Sequence, residues 1–204
     1  MDVHVKNDGP GQDIGMHVDL NNQAHTFCVT ETERNQAVEG GNGYNINTGI
    51  IALTGSSDSA VLYFKNDEST LNGETDIVID SVIIGINTRS ATITEDPIAT
   101  IIRNPTGGTI VSDANVVPMK SNSNFGSSNS LDSLIYSATG TGKTLTGGTD
   151  HAIVVCSNSR TPVPELYIDL PKGSSFGINI DLNTSGGANV YVAMVVHRKD
   201  GKNK

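Results

Sequence analysis

The stretch Phe176-Gly177-Ile178-Asn179-Ile180-Asp181-Leu182 alternates without a break. Phe176, Ile178, Ile180 and Leu182 fall on one face of an extended chain and Gly177, Asn179 and Asp181 on the other, the period of a strand with one wet side. The run Asn189-Val190-Tyr191-Val192-Ala193-Met194-Val195-Val196-His197 keeps that period but not the wet side. Val190, Val192, Met194 and Val196 share one face, and Tyr191, Ala193 and Val195 share the other. A strand apolar on both faces needs two covers. In a two-layer sandwich the second is a neighbouring subunit or an arm of the same chain. The run therefore predicts a homo-oligomer whose interface is drawn from Val190, Tyr191, Val192, Ala193, Met194, Val195 and Val196.

Working outward, similar apolar runs occur at 46–54, 60–65, 76–86, 98–103, 134–137, 151–156 and 166–170. Nearly every gap holds Gly, Pro, Asn or Ser, and Pro97, Pro105, Pro118, Pro162, Pro164 and Pro171 are read as lying between strands, where a missing N–H breaks no ladder. Gly, Thr, Asn and Ser supply 81 of the 204 residues, and Trp is absent. That composition suits turns and short strands rather than helices. Eight or nine strands at short spacing with almost no helical period predict an all-β chain, an antiparallel β-sandwich or barrel.

The first forty residues read as an extended N-terminal arm. Val3-His4-Val5 and Met16-His17-Val18-Asp19-Leu20 alternate like short edge strands on either side of a Gly-Pro turn, and 31–39 suggests a helical turn or two. The division expected is an arm over 1–42, a sandwich domain over 43–197 and a basic tail over 198–204. The segment 121–148 is polar and Gly-rich and reads as a long loop, either a binding surface or locally disordered.

The net charge of −9 argues against sequence-independent nucleic-acid binding, which needs a basic footprint. The last eight residues run the other way, with four cations and one anion, and read as a solvated terminus. The start shows neither a signal peptide nor a transmembrane run, so synthesis in a cytosol and no membrane contact are expected. Cys28 and Cys156 lie in separate apolar runs and are expected as free thiols.

Several motifs come close to known chemistry. Ser137-Ala138-Thr139-Gly140-Thr141-Gly142-Lys143-Thr144 nearly matches a phosphate-binding loop, but Ser137 stands where Gly is needed and no helix can follow. Gly173-Ser174-Ser175-Phe176-Gly177 matches the nucleophile-elbow pattern, yet a strand follows Ser175 where the elbow requires a helix. Asp181 and His197 would supply the remaining members of a triad, but nothing selects them. Asp169 and Asp181 would approach as a glycosidase pair only if their strands were neighbours. Asp67-Glu68, and Asp76 near Glu74, are candidate Ca²⁺ ligands without a recognised loop. His4, His17, His25, His151 and His197 show no metal-ligand spacing. No catalytic residue, cofactor or metal is expected.

Three stretches resemble a known family: Gly43-Tyr44-Asn45-Ile46-Asn47-Thr48-Gly49-Ile50-Ile51-Ala52-Leu53-Thr54 with Ser59-Ala60-Val61-Leu62-Tyr63-Phe64-Lys65-Asn66; Arg103-Asn104-Pro105-Thr106-Gly107-Gly108-Thr109-Ile110 with Asn122-Ser123-Asn124-Phe125-Gly126-Ser127-Ser128; and Leu170-Pro171-Lys172-Gly173-Ser174-Ser175-Phe176-Gly177-Ile178. Over 43–197 the chain resembles the jelly-roll virion proteins of tailed phages. The resemblance implies a jelly-roll-like sandwich and a non-enzymatic capsid decoration (cement) protein, a homotrimer on the outer capsid surface in contact with the major capsid protein. Its alternative is a tail or fibre component that contacts the host surface. The arm matches no pattern of that family. Its alternating residues Val3, Val5, Met16, Val18 and Leu20 are the expected capsid contacts, by strand addition.

Overall fold

A computed structural model describes residues 3–6, 13–18, 24–28, 32–55, 58–68, 76–88, 95–111, 118–157, 160–163, 168–183 and 186–199. In chain order the elements are β1 (Val3–Lys6), β2 (Asp13–Val18), β3 (Ala24–Cys28), α1 (Glu33–Glu39), β4 (Gly43–Asn47), β5 (Ile51–Thr54), β6 (Ser59–Lys65), β7 (Ile77–Thr88), β8 (Ile98–Arg103), β9 (Met119–Asn122), β10 (Leu134–Ser137), β11 (Thr149–Val155), β12 (Arg160–Val163), β13 (Ile168–Leu170), β14 (Ser175–Asp181) and β15 (Gly187–Arg198).

The body is an antiparallel sandwich. One sheet runs β10-β6-β14-β8-β11. The other runs β12-β7-β15-β4-β9, with β13 also on β7 and β5 also on β15. β4 and β5 act as one interrupted strand, since both pair with β15. At the interruption Gly49 takes φ 71°, in the left-handed region, and Thr48 Oγ1 accepts from Val192 N at 2.9 Å. Setting aside the edge strands β9 and β10 and taking β4/β5 and β12/β13 as single strands leaves eight. The first pairs with the last, the second with the seventh, the third with the sixth and the fourth with the fifth. This nested pairing is the jelly-roll path.

Alternation explains why these residues form the core. Ile46, Leu53, Ile79, Ile84, Ile86, Val190, Val192 and Met194 from one sheet join Leu62, Phe64, Ile101, Phe176, Ile178 and Ile180 from the other in one buried cluster. Fully burying one such side chain stabilises by roughly 1.5–3 kcal/mol.

Three expectations change. Pro162 lies inside β12 rather than between strands. β12 pairs on one side only, with β7, so the missing N–H faces no second ladder. Pro164 lies outside the described residues. The wet side of β14 is partly covered: a Cβ on Gly177 would stand 2.5 Å from Leu145 Cδ1, so the glycine admits Leu145 against the sheet. The segment that brings Leu145 there is tied down. Thr106 N donates to Thr146 O and Thr146 N to Gly107 O, both at 2.8 Å. The long loop around 138–148 therefore acts as a cover for the five-stranded sheet.

The arm's strands pair with one another in a three-stranded sheet, β1-β2-β3. Its register sets Val3 opposite Met16, Val5 opposite Ile14 and Ile14 opposite Cys28. Leu20 lies outside the described residues. The helix behaves as part of the body: α1 packs on β4 and β15 with Ala37 buried. Thr32 caps it, its Oγ1 accepting from Asn35 N at 3.3 Å.

Candidate functional site

The motifs dissolve on inspection of their places in the fold. Ser175 is buried at the start of β14 and donates its hydroxyl to Pro105 O at 2.6 Å. Asp181 lies in the five-stranded sheet and His197 in the seven-stranded sheet, so no triad assembles. Asp169 and Asp181 are likewise in different sheets, because β13 pairs with β7 and β14 with β6 and β8. Asp169 accepts from Lys199 Nζ instead. Lys143 and Thr144 open no helix; Lys143 O accepts from Ala60 N at 2.8 Å. Among the described residues no group of three or more His, Cys, Asp or Glu is placed to hold a metal ion. Of the candidate Ca²⁺ ligands, Glu68 is buried and engaged elsewhere, and Glu74 lies outside the described residues. Cys156 is a buried free thiol, and burial raises its pKa.

Two polar clusters hold the end of β15. Arg198 pairs with the buried Glu68, donates through Nη1 to Tyr44 Oη at 3.0 Å and through Nη2 to Ser130 O at 2.6 Å, and lies 5.4 Å from the centre of the Tyr44 ring. Ser133 N and Oγ donate to Glu68 Oε1 at 2.6 and 2.7 Å. Burial pushes the Tyr44 pKa upward, against the lowering effect of Arg198. The second cluster sits at a bulge. The β7–β15 register shifts between Val195 and Val196 and leaves Asp80 unpaired, aimed at the buried His197, whose Nδ1 is 2.9 Å from Asp80 Oδ2. Arg34 Nε, from α1, is 3.9 Å from the same oxygen. Arg198 and Lys199 are thus structural members of the body, not part of a solvated tail. Residues 200–204 lie outside the described residues.

At one end of the sandwich a cavity of about 300 Å³ opens beside β8, β11 and β13. Arg103, Asn104, His151, Asp169 and Ser174 line it over Ile101 and Phe176. Asp169 is the one carboxylate among its described lining residues and is held by Lys199. The cavity offers hydrogen bonds to a small polar solute but no paired carboxylates.

A second surface is the outer face of the seven-stranded sheet. Of the seven expected interface residues, Val190, Val192, Met194 and Val196 are buried in the core, because that face of β15 meets the opposite sheet. They are closed to a partner. Tyr191, Ala193 and Val195 are half-buried on the outer face. Register joins Ala193 to a row across five strands, Met119-Asn47-Ala193-Ile83-Pro162. A second row carries Ser121-Asn45-Val195-Ser81. Tyr191 lies across Gly85, where a Cβ would stand 2.0 Å from the ring. Neither row holds a charged residue, and Met119 is 73% exposed.

Sequence reading missed Met119 and Ile83 as members of this face, since cross-strand rows exist only once register is known. It also missed the clusters at Glu68 and Asp80. The signal for the bulge was present: Asp80-Ser81 interrupts an otherwise apolar run from Ile77 to Ile86. No protein-family model matches the chain, and no curated protein matches its sequence. Among the described residues no helix is long and apolar enough to cross a membrane.

Proposed function

We propose that this chain is a non-enzymatic structural protein of a virion, a decoration (cement) protein that stabilises a tailed-phage head as a homotrimer. The observation that carries the proposal is a pair of adjacent uncharged rows on the outer face of the seven-stranded sheet. In a chain of net charge −9, two adjacent rows without a charge mark a surface meant for protein, because interface cores are depleted of charge and solvent-facing sheets are not. The jelly-roll path agrees with the fold that the family resemblance implies. Tyr191, Ala193 and Val195, joined by Met119 and Ile83, are the proposed contacts between subunits.

The arm supplies the second contact. Val3, Val5, Met16, Val18 and Leu20 would meet the major capsid protein by strand addition on the outer surface of the head, after synthesis of the chain in the host cytoplasm. An acidic body suits that surface better than a position against packaged nucleic acid. No cofactor and no membrane enter this reading.

Light scattering should give the mass of three chains, and the intact protein should bind undecorated heads. A chain beginning at residue 32, which keeps the capped helix of the body, should keep its β spectrum and lose head binding. An intact protein that ignores heads and adsorbs to host cells would replace this reading with that of a tail or fibre component.

A further inference from the structure

Sheets end in strands, and a bare strand end-on to solvent is a template for another chain. Among the described residues of the sandwich, β5, β9, β10, β12 and β13 pair on one side only, and each has four residues or fewer. β12 carries Pro162 and β9 carries Lys120, two devices that discourage further pairing. The strand β11 is the exception. It has seven residues, Thr149-Asp150-His151-Ala152-Ile153-Val154-Val155, and pairs only with β8. It holds no Pro, Lys or Arg. Its register breaks between Asp150 and Ala152, and beyond that bulge the ladder is regular. There Ile153 is 66% and Val155 61% exposed.

The backbone groups of those two residues point outward as well. Cys156 N donates to Pro97 O at 2.8 Å, across the ladder to the β8 side. Antiparallel alternation then turns the N–H and C=O of Val155 and Ile153 away from β8, toward the open edge. Exposed apolar side chains and unpaired main-chain donors and acceptors therefore coincide on the same residues.

We propose that β11 pairs antiparallel with β11 of a second copy about a two-fold axis, joining two five-stranded sheets into one. The segment is self-complementary for this. A pairing centred on Val154 sets Ile153 of each copy opposite Val155 of the other, so that outward-pointing groups meet outward-pointing groups. From Ala152 to Cys156 the segment is uncharged, so no like charges oppose each other even though the chain as a whole is acidic. A second copy is thus the occupant whose register and charge the strand itself specifies. Such an isologous contact is closed and adds one partner only. It lies on the other sheet from the subunit contacts proposed above and does not depend on the virion reading.

Sedimentation equilibrium of the intact chain, over a concentration series reaching the millimolar range, tests it. The mass should rise with concentration, and in the Val195→Asp variant, whose seven-stranded sheet no longer associates, it should double from that of one chain. Amide exchange at Ile153 and Val155 should slow over the same range. Ile153→Lys or Val155→Lys should weaken the doubling about tenfold, and the double variant, which sets lysines opposite lysines, should abolish it. Both sites are exposed, so circular dichroism should remain that of the parent. Val195→Asp should leave the doubling intact while removing any association through the seven-stranded sheet. A mass that never rises with concentration, or a double Lys variant that associates like the parent, overturns the proposal.

Discussion

The five-stranded sheet covers the middle of its outer face with its own chain and leaves Ile153 and Val155 of β11 exposed at the edge. Leu145 fits over Gly177, and Tyr136 stacks on Tyr63 at 6.2 Å between ring centres. Among the described residues, α1 covers one end of the outer face of the seven-stranded sheet, packing on β4 and β15 near Asp80 and His197. Beyond the helix, the rows through Ala193 and Val195 are uncharged. The two sheets share one core and similar strand chemistry, so the difference is in their coverings. A loop that folds back covers the middle of one face; among the described residues of the other, Met119 is exposed and Ala193, Ile83 and Val195 are half-buried.

The sharpest way to break this contrast is to place one charge on either side of β15. Val192→Asp enters the core, where Val192 is fully buried, and should cost more than about 4 kcal/mol, enough to unfold a marginal domain. Thermal melting would show it as loss of the folded baseline. Val195→Asp, one pleat away in face, should cost about 1 kcal/mol or less in a single subunit and lower the assembled mass. Equal destabilisation by both would erase the distinction between the faces.

Next in size is the polar cluster that anchors the last strand. Glu68→Ala leaves the Arg198 guanidinium without its buried carboxylate and should lower unfolding free energy by about 3–5 kcal/mol, read from urea denaturation. Glu68→Gln keeps a hydrogen-bond acceptor and should cost less. The cover of the five-stranded sheet comes after it. Leu145→Ala should cost about 2 kcal/mol and expose Gly177, without changing the oligomeric mass. The smallest effect concerns Cys156. Burial raises its pKa, so at pH 8 to 9 its thiol should alkylate far more slowly than a free cysteine in solution, and at the ordinary rate in denaturant.

Much of the sandwich was readable before any coordinates. The runs at 98–103 and 134–137 coincide with β8 and β10, because apolar period-two runs bounded by turn residues have few other ways to bury themselves. Where reading failed, the missing information was pairing. β9 was invisible because Met119-Lys120-Ser121-Asn122 has little apolar character, and it is a strand only because β4 offers it a ladder. β12 was passed over because Pro162 forbids a central strand but not an edge. Arg198 was assigned to the tail on local composition, since its carboxylate lies 130 residues away. The outer face was half legible: β15 announced that it needed two covers, but which of its residues faced outward toward Met119 and Ile83 waited on register.

The helix and the last strand have one more consequence, drawn from Gly43 standing opposite His197 and Arg198 N donating to Asn42 O at 2.9 Å. The two ends of the body meet side by side, so the fold has no topological need to be read from residue 43 first. A short Gly-Ser linker from residue 199 to residue 42, with new ends opened at the exposed turn around Thr141, gives a circular permutant that retains every strand pair of the jelly roll. The same adjacency makes that end of the body a single doorway. A segment fused before the helix and another fused after β15 would emerge together, on the side away from neither sheet's free edge but beside the bulge at Asp80.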